Sequence, residues 1–256
     1  MLKKLKGINR LKIMVTNDDG INSQGLVTLT DALRSIAEVW VVAPDREMSA
    51  VSHSLTLHKP LRVKEIAPQC YSVNGTPTDC VNLGVNSILK VKPDLIVSGI
   101  NKGGNLGSDI VYSGTVAAAR EGTMLGIPSF AISLVAGKDF KFQTGAAFAV
   151  RLAKHLLKNG LPKGTFLNVN IPNNEIDGNT PYRITRQGKR FRVGSIVEKV
   201  DPRGEKYYWF GNSNMDFEEI KDSDSQAIAQ NFISITPLCL DLTDYSLIKE
   251  LSAWVL

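Results

Sequence analysis

What most constrains this chain is its alternation of short apolar runs with stretches of helical periodicity. "LKIMV" (11–15) is a β-rich run, and beyond an Asp-Asp-Gly turn Leu26, Leu29, Leu33 and Ile36 recur at helical spacing. "VWVVAP" (39–44) is a continuous apolar run closed by Pro44, as a strand buried on both faces requires. Strand, helix and strand within about 30 residues make a βαβ unit, whose crossover is almost always right-handed. The same grammar predicts strands at "DLIVSGI" (94–100), "IPSFAISL" (127–134) and "TFLNVNIP" (165–172). Helices are predicted at 113–125, capped by Ser113 or Thr115, and at 144–160, where Asn159-Gly160 is a stop signal. The expected fold is therefore α/β: a Rossmann-like, doubly wound, mostly parallel sheet.

After Pro172 the pattern breaks. "NNEIDGNTP" reads as a loop, and 195–211 as a β-hairpin turning at Asp201-Pro202-Arg203-Gly204, with Pro second and Gly fourth in the turn. "NFISITPL" (231–238) is a late strand, and "YSLIKELSAWVL" closes the chain as a helix with one apolar face. A hairpin and a tail helix appended to an α/β core are common oligomerisation devices, and a C-terminal oligomerisation segment is expected here.

Charge narrows the functional classes. The net charge is +5, yet residues 1–12 hold five Lys/Arg and no acid, and residues 183–206 hold eight Lys/Arg against three acids. Those segments together carry +10, so the rest of the chain sums to −5. Such local basicity argues against a general polyanion-binding surface, and no stable nucleic-acid complex is expected. Cys70, Cys80 and Cys239 are odd in number and lack metal-ligand spacing, as free thiols in a reducing compartment would. With no signal-peptide core and no apolar run long enough to span a membrane, the expectation is a cytoplasmic protein.

In open α/β sheets ligands bind beyond the carboxyl ends of the strands. Asp18 and Asp19 lie just past the first predicted strand, and "DREMSAVSHS" (45–54) after the second offers Ser49, Ser52 and His53. Asn101 follows the 94–100 strand and opens "NKGGNLG", which leads to Ser113-Gly114-Thr115 at a predicted helix start suited to an anion. Two readings stand side by side. Asp18-Asp19-Gly20 is a polar turn or half of a cation site, Ser49 a loop serine or a ligand, and Asn101 a turn former or a ligand. Carboxylate, hydroxyl and amide oxygens are hard donors suited to Mg²⁺, Mn²⁺ or Ca²⁺. Beside a phosphate cradle, such a cation would neutralise phosphoryl oxygens and lower the pKa of a bound water. "NKGGNLG" matches neither a Walker loop nor a dinucleotide fingerprint, and His155 reads as structural, while His53 and His58 could fall near the site.

Several long motifs resemble the SurE family of metal-dependent 5′/3′-nucleotidases. They are "VTNDDGI" (15–21), "VVAPDREMSAVSHSLTLHKPLR" (41–62), "NGTPTDCV" (74–81), "DLIVSGIN" (94–101), "YSGTVAAAREG" (112–122), "TRQGKR" (185–190), "DPRGEKYYWFG" (201–211), "ISITPL" (233–238) and "DLTDY" (241–245). The resemblance implies one divalent cation per subunit, Mg²⁺ or Mn²⁺ with Ca²⁺ as a stand-in in crystals, held by Asp18, Asp19, Ser49 and Asn101. It implies hydrolysis of nucleoside 5′- and 3′-monophosphates, with Asp18 and Asp19 also catalytic and Asn105, Ser113, Gly114 and Thr115 around the phosphate. Dimers or tetramers that exchange the hairpin or the C-terminal segment are implied too. The expected organisation is a flexible basic leader over 1–10 and one domain over 11–256. Cys239 departs from the family, which often has His shortly after "ITPL". Two rivals remain. A phospho-signalling receiver also carries an acidic pair after strand one, but it needs a phospho-accepting Asp where this chain has Asn101. A non-catalytic nucleotide or polyphosphate binder would use the basic 183–206 segment.

Overall fold

A computed structural model describes residues 11–135, 137, 139–173, 180–190, 196–210 and 217–255. The basic leader and most of the 173–181 loop lie outside these residues. β1 (Lys12–Thr16), α1 (Gln24–Leu33) and β2 (Glu38–Pro44) form the expected first βαβ unit, with β1 and β2 parallel. The helix starts at Ser23, whose side chain accepts from Leu26 N–H, and ends at Leu33, so Ile36 lies beyond it. The remaining strands are β3 (Val63–Ala67), β4 (Cys70–Val73), β5 (Leu95–Lys102), β6 (Ser129–Leu134), β7 (Thr165–Ile171), β8 (Tyr182–Ile184), β9 (Ile196–Val200), β10 (Lys206–Phe210) and β11 (Ile233–Cys239). The remaining α-helices are α2 (Pro77–Leu83), α3 (Gly114–Met124), α4 (Phe142–Asn159), α5 (Asp224–Ala229) and α6 (Tyr245–Leu251), with a π-helical turn at Gly84–Ile88 and a 3-10 turn at Gly107–Val111.

The main sheet runs β3-β4-β2-β1-β5-β6-β7-β11-β8. Pairing is parallel from β4 through β7 and between β11 and β8; β3 against β4 and β7 against β11 are antiparallel. The fold is thus the expected mostly parallel α/β sheet, and β9 with β10 forms the separate hairpin. Strand alternation divides the core. Ile13 and Val15 of β1 join Leu26, Leu29, Leu33 and the α4 residues Ala146, Phe148 and Ala149 on one face. Met14 joins Val42, Val81 and Ala118 on the other, where α2 and α3 lie. Order reverses at β1: β2 lies on one side and β5 on the other, so the β1/β5 crevice is the topological switch point.

Other details differ from expectation. β5 continues through Asn101 to Lys102, because its pairing with β6 resumes beyond an irregularity between Ser98 and Asn101. α4 begins at Phe142 and ends, as expected, at Gly160, where φ is +71°. α2 was unforeseen. Thr76 and Asp79 form a reciprocal capping box with Pro77 at the first helical position, and such short helices carry little periodicity.

Candidate metal and phosphate site

The carboxyl ends of β1 and β5 open into a cleft of about 650 Å³, lined in part by Asp18, Asp19, Ser49, Asn101, Asn105 and Ser113. Gly20, at φ +95°, lets the chain turn away beneath the acidic pair, where an added Cβ would stand 3.0 Å from the backbone of Arg46. Asp18 is 6% exposed. Its Oδ2 accepts the Thr115 N–H at 3.0 Å, and its Oδ1 accepts the Thr115 hydroxyl. A Cβ on Gly114 would come within 2.9 Å of the Asp18 Cβ, so glycine allows this close seat on α3. Burial pushes the Asp18 carboxyl up to about 6; the Thr115 hydroxyl bond opposes that rise and the charge of Asp19 adds to it. Asp19 is raised as well, chiefly by burial, with the Lys102 N–H opposing and Glu47 adding.

The other candidate ligands are oriented by their own hydrogen bonds. Ser49 donates its hydroxyl to Glu47 Oε1 at 2.6 Å, which leaves lone pairs on Oγ. Asn101 donates Nδ2 to Gly103 O at 2.8 Å, which leaves Oδ1 as an acceptor. Asp19 Oδ2 accepts the Lys102 N–H at 3.1 Å, and Oδ1 remains. The loop carrying Ser49 is fixed to both sides of the crevice: Met48 N–H donates to Asp18 O at 2.7 Å and Ser52 N–H to Tyr112 O at 3.0 Å. Among the described residues no cluster of three His, Cys, Asp or Glu side chains could hold a metal. The oxygen set Asp18, Asp19, Ser49 and Asn101 nevertheless suits a hard divalent cation, since the two neighbouring carboxylates repel and the Lys102 charge beside Asp19 offsets only part of that.

At the start of α3, Ser113 Oγ accepts the Val116 N–H at 3.1 Å and is the cap, so its own proton is available to an anion. Thr115 faces the other way. Both its donors go to Asp18, so of the first-turn amides it is Gly114 N–H that remains. Asn105 is buried and fixed from below: its N–H donates to Asn170 Oδ1 at 2.8 Å, and its carbonyl accepts from Asn168 Nδ2 and Asn170 Nδ2 at 2.8 and 3.0 Å. Its Nδ2 donates to Ser133 Oγ at 2.7 Å.

Sequence reading overlooked Glu47, Lys102, Asp109 and Tyr112, which also line the cleft. It overlooked the asparagine floor too, although two Asn in the otherwise apolar "TFLNVNIP" were a visible signal. Asp224 was also missed; its carboxylate accepts Gly107 N–H and Gly188 N–H at 2.8 and 3.0 Å and ties the loop before α3 to the 185–190 segment. Neither His53 nor His58 lines this cleft. His53 Nε2 instead pairs with the buried Glu121 at 2.7 Å, and His58 and His155 are exposed.

The model of the family described as "Survival protein SurE" matches residues 13–193. The chain is 54% identical over 246 residues to the 5'-nucleotidase SurE of Pelobacter propionicus, covering 96% of this chain and 100% of that one. It is 54% identical over 245 residues to the 5'-nucleotidase SurE of Geotalea uraniireducens, covering 95% and 99%. The crystal structure of the SurE protein from Aquifex aeolicus superposes with a TM-score of 0.83 at 43% identity, covering 94% of this chain and 98% of that one. By sequence and by fold alike, the chain belongs to the SurE family.

Proposed function

We infer that the protein is a 5′-nucleotidase that hydrolyses nucleoside monophosphates to nucleoside and phosphate with the help of a divalent cation. One observation carries this reading: the paired carboxylates of Asp18 and Asp19 stand at the switch point of the sheet, in one cleft with Ser49, Asn101 and the capping Ser113. Asp18, Asp19, Ser49 and Asn101 hold the cation, Mg²⁺ or Mn²⁺, which when bound supplies charge neutralisation at the phosphoryl oxygens and acidifies a water. The Ser113 hydroxyl, the Gly114 N–H and Asn105 orient the phosphate at the positive end of α3. Thr115 holds Asp18 in place, and a carboxylate of the pair accepts the proton from the attacking water.

The assembly reading is a homo-oligomer in the cytoplasm. None of the residues of α6 is buried, and the β9–β10 hairpin exposes Tyr208 and Trp209. Free thiols at Cys70, Cys80 and Cys239 suit a reducing compartment, and among the described residues no helix is long and apolar enough to cross a membrane.

Phosphate release from 5′- and 3′-nucleoside monophosphates, with and without each cation, tests the reading. Activity is expected only with cation, and Asp19→Asn is expected to lose most of it while keeping the wild-type circular dichroism spectrum. Near-normal turnover of AMP by Asp19→Asn at saturating Mg²⁺ or Mn²⁺ would overturn the assignment. A stable phospho-adduct after incubation with a small phosphodonor would instead favour a receiver module, and nucleotide binding without phosphate release a simple binder.

A further inference from the structure

A second cavity, of about 290 Å³, adjoins the cleft and shares Ser113 with it. It runs along the outer face of α3, where Ser113, Val116 and Arg120 follow one another at helical spacing. Its walls are apolar, made by Ile110, Val116, Phe166 and Leu238, and its polar groups include Arg120 and Gln187. Walls of this kind with a few polar groups are how proteins take a flat heterocycle. Arg120 is unusual among the cations here. Its Nε is buried without a hydrogen-bond partner, and no ion pair among the described residues involves it. A desolvated guanidinium donor left unbonded is costly, and an acceptor on a ligand would satisfy it.

We propose that this cavity is the nucleobase subsite and that Arg120 reads the base, favouring guanine. The inference rests on the phosphate reading above, which puts the phosphate at Ser113, on the border between the two spaces. Guanine presents two adjacent acceptors, O6 and N7, which match the parallel donors of a guanidinium. Adenine offers N7 beside an amino donor that would face Arg120 donor to donor. Pyrimidines lack this edge altogether and fill less of the space. Arg120 is a specificity-determining residue in this scheme and takes no part in the chemistry.

The test compares GMP, AMP and ribose 5-phosphate as substrates for the wild type and for Arg120→Met, which keeps an unbranched stem and removes the donors. The wild type is expected to prefer GMP to AMP by about tenfold or more in kcat/KM, as one bidentate contact provides. Arg120→Met is expected to erase that preference through KM, with turnover of the base-free ribose 5-phosphate unchanged, and Arg120→Lys to restore part of it. Equal GMP and AMP kinetics in the wild type, or an unchanged ratio in Arg120→Met, would overturn the proposal. So would an equal fall with all three substrates, which would place Arg120 in the phosphate centre, or a change of oligomer mass with the ratio intact, which would make the cavity a subunit contact. Calorimetric binding of GMP and AMP to both proteins separates this inference from the activity. If no phosphate is released by the wild type, the nucleotidase reading fails, while tighter GMP binding that depends on Arg120 still supports the subsite.

Discussion

Thr115 shows how one residue can give two donors to a single acceptor. Its N–H and its hydroxyl both meet the Asp18 carboxylate, which therefore sits on the first turn of α3 much as a bound anion would. Thr115→Val keeps the shape and the N–H but deletes the hydroxyl bond. A hydrogen bond to a charged group contributes about 1.5–3 kcal/mol, so cation-dependent turnover should fall about ten- to a hundredfold. Phosphate-release kinetics across a cation titration, alongside thermal melts showing a folded protein, check this. Asp224, which is not one of the candidate ligands, supplies a pH test. Burial raises its carboxyl, against the bonds from Gly107, Ser225 and Gly188. The native state therefore holds this proton more tightly than the unfolded chain does. That stabilisation is full below the ordinary carboxylate value of about 4 and is lost as pH rises through the raised folded value. Urea unfolding of the wild type and Asp224→Asn at a series of pH values should show their stability difference shifting against the wild type across that window. A pH-independent difference would show that Asp224 is ionised alike in both states.

At the scale of elements, the carboxyl ends of β5, β6 and β7 and the amino end of the antiparallel β11 carry one polar row. Register places Asn101 beside Ser133, Ser133 beside Asn170, and Asn170 beside Ser234, so four strands contribute one residue each. Asn170→Leu would leave the buried Asn105 N–H unbonded and remove one of two donors to its carbonyl. The expected cost is about 2 kcal/mol or more by chemical denaturation, with a higher KM for the nucleotide as Asn105 loses its seat. Most of this architecture could be read from the residues. Apolar runs marked β1, β2, β5, β6, β7 and β11, because strands buried on both faces need them, and Gly160 marked the end of α4. β3 could not be read, since all five of its residues are exposed at the sheet edge and no burial disciplines its sequence. α2 owes its start to a cap rather than to periodicity. The candidate ligands could be guessed from their strand ends, but the bond between Thr115 and Asp18 spans 97 positions, and no local pattern announces it. Asn101 was legible as a residue and misplaced as a loop, because the β5 irregularity that keeps it paired depends on β6.

For the whole molecule, the exposed C-terminal helix suits the homo-oligomer proposed above. Leu247, Ile248, Leu251 and Trp254 are 42–61% exposed on and just beyond a helix that buries nothing of its own. An apolar face of this kind is ordinarily covered by another surface. Deleting residues 245–256 should lower the assembly mass by light scattering while leaving the far-ultraviolet spectrum of the sheet intact. An unchanged mass would show that this face holds no second subunit.

The antiparallel insertion of β11 beside β7 also bears on how the chain is made. Every candidate ligand, from Asp18 to Ser113, has left the ribosome before β7 is synthesised, so a nascent chain owns its full ligand set early. β7 gains its outer neighbour only when residues 233–239 arrive. Until then β7 shows an unpaired border, open to any other strand that finds it. A message truncated before that point would therefore yield a product that carries every candidate ligand yet is prone to precipitate, with β11 as the closing seam it lacks.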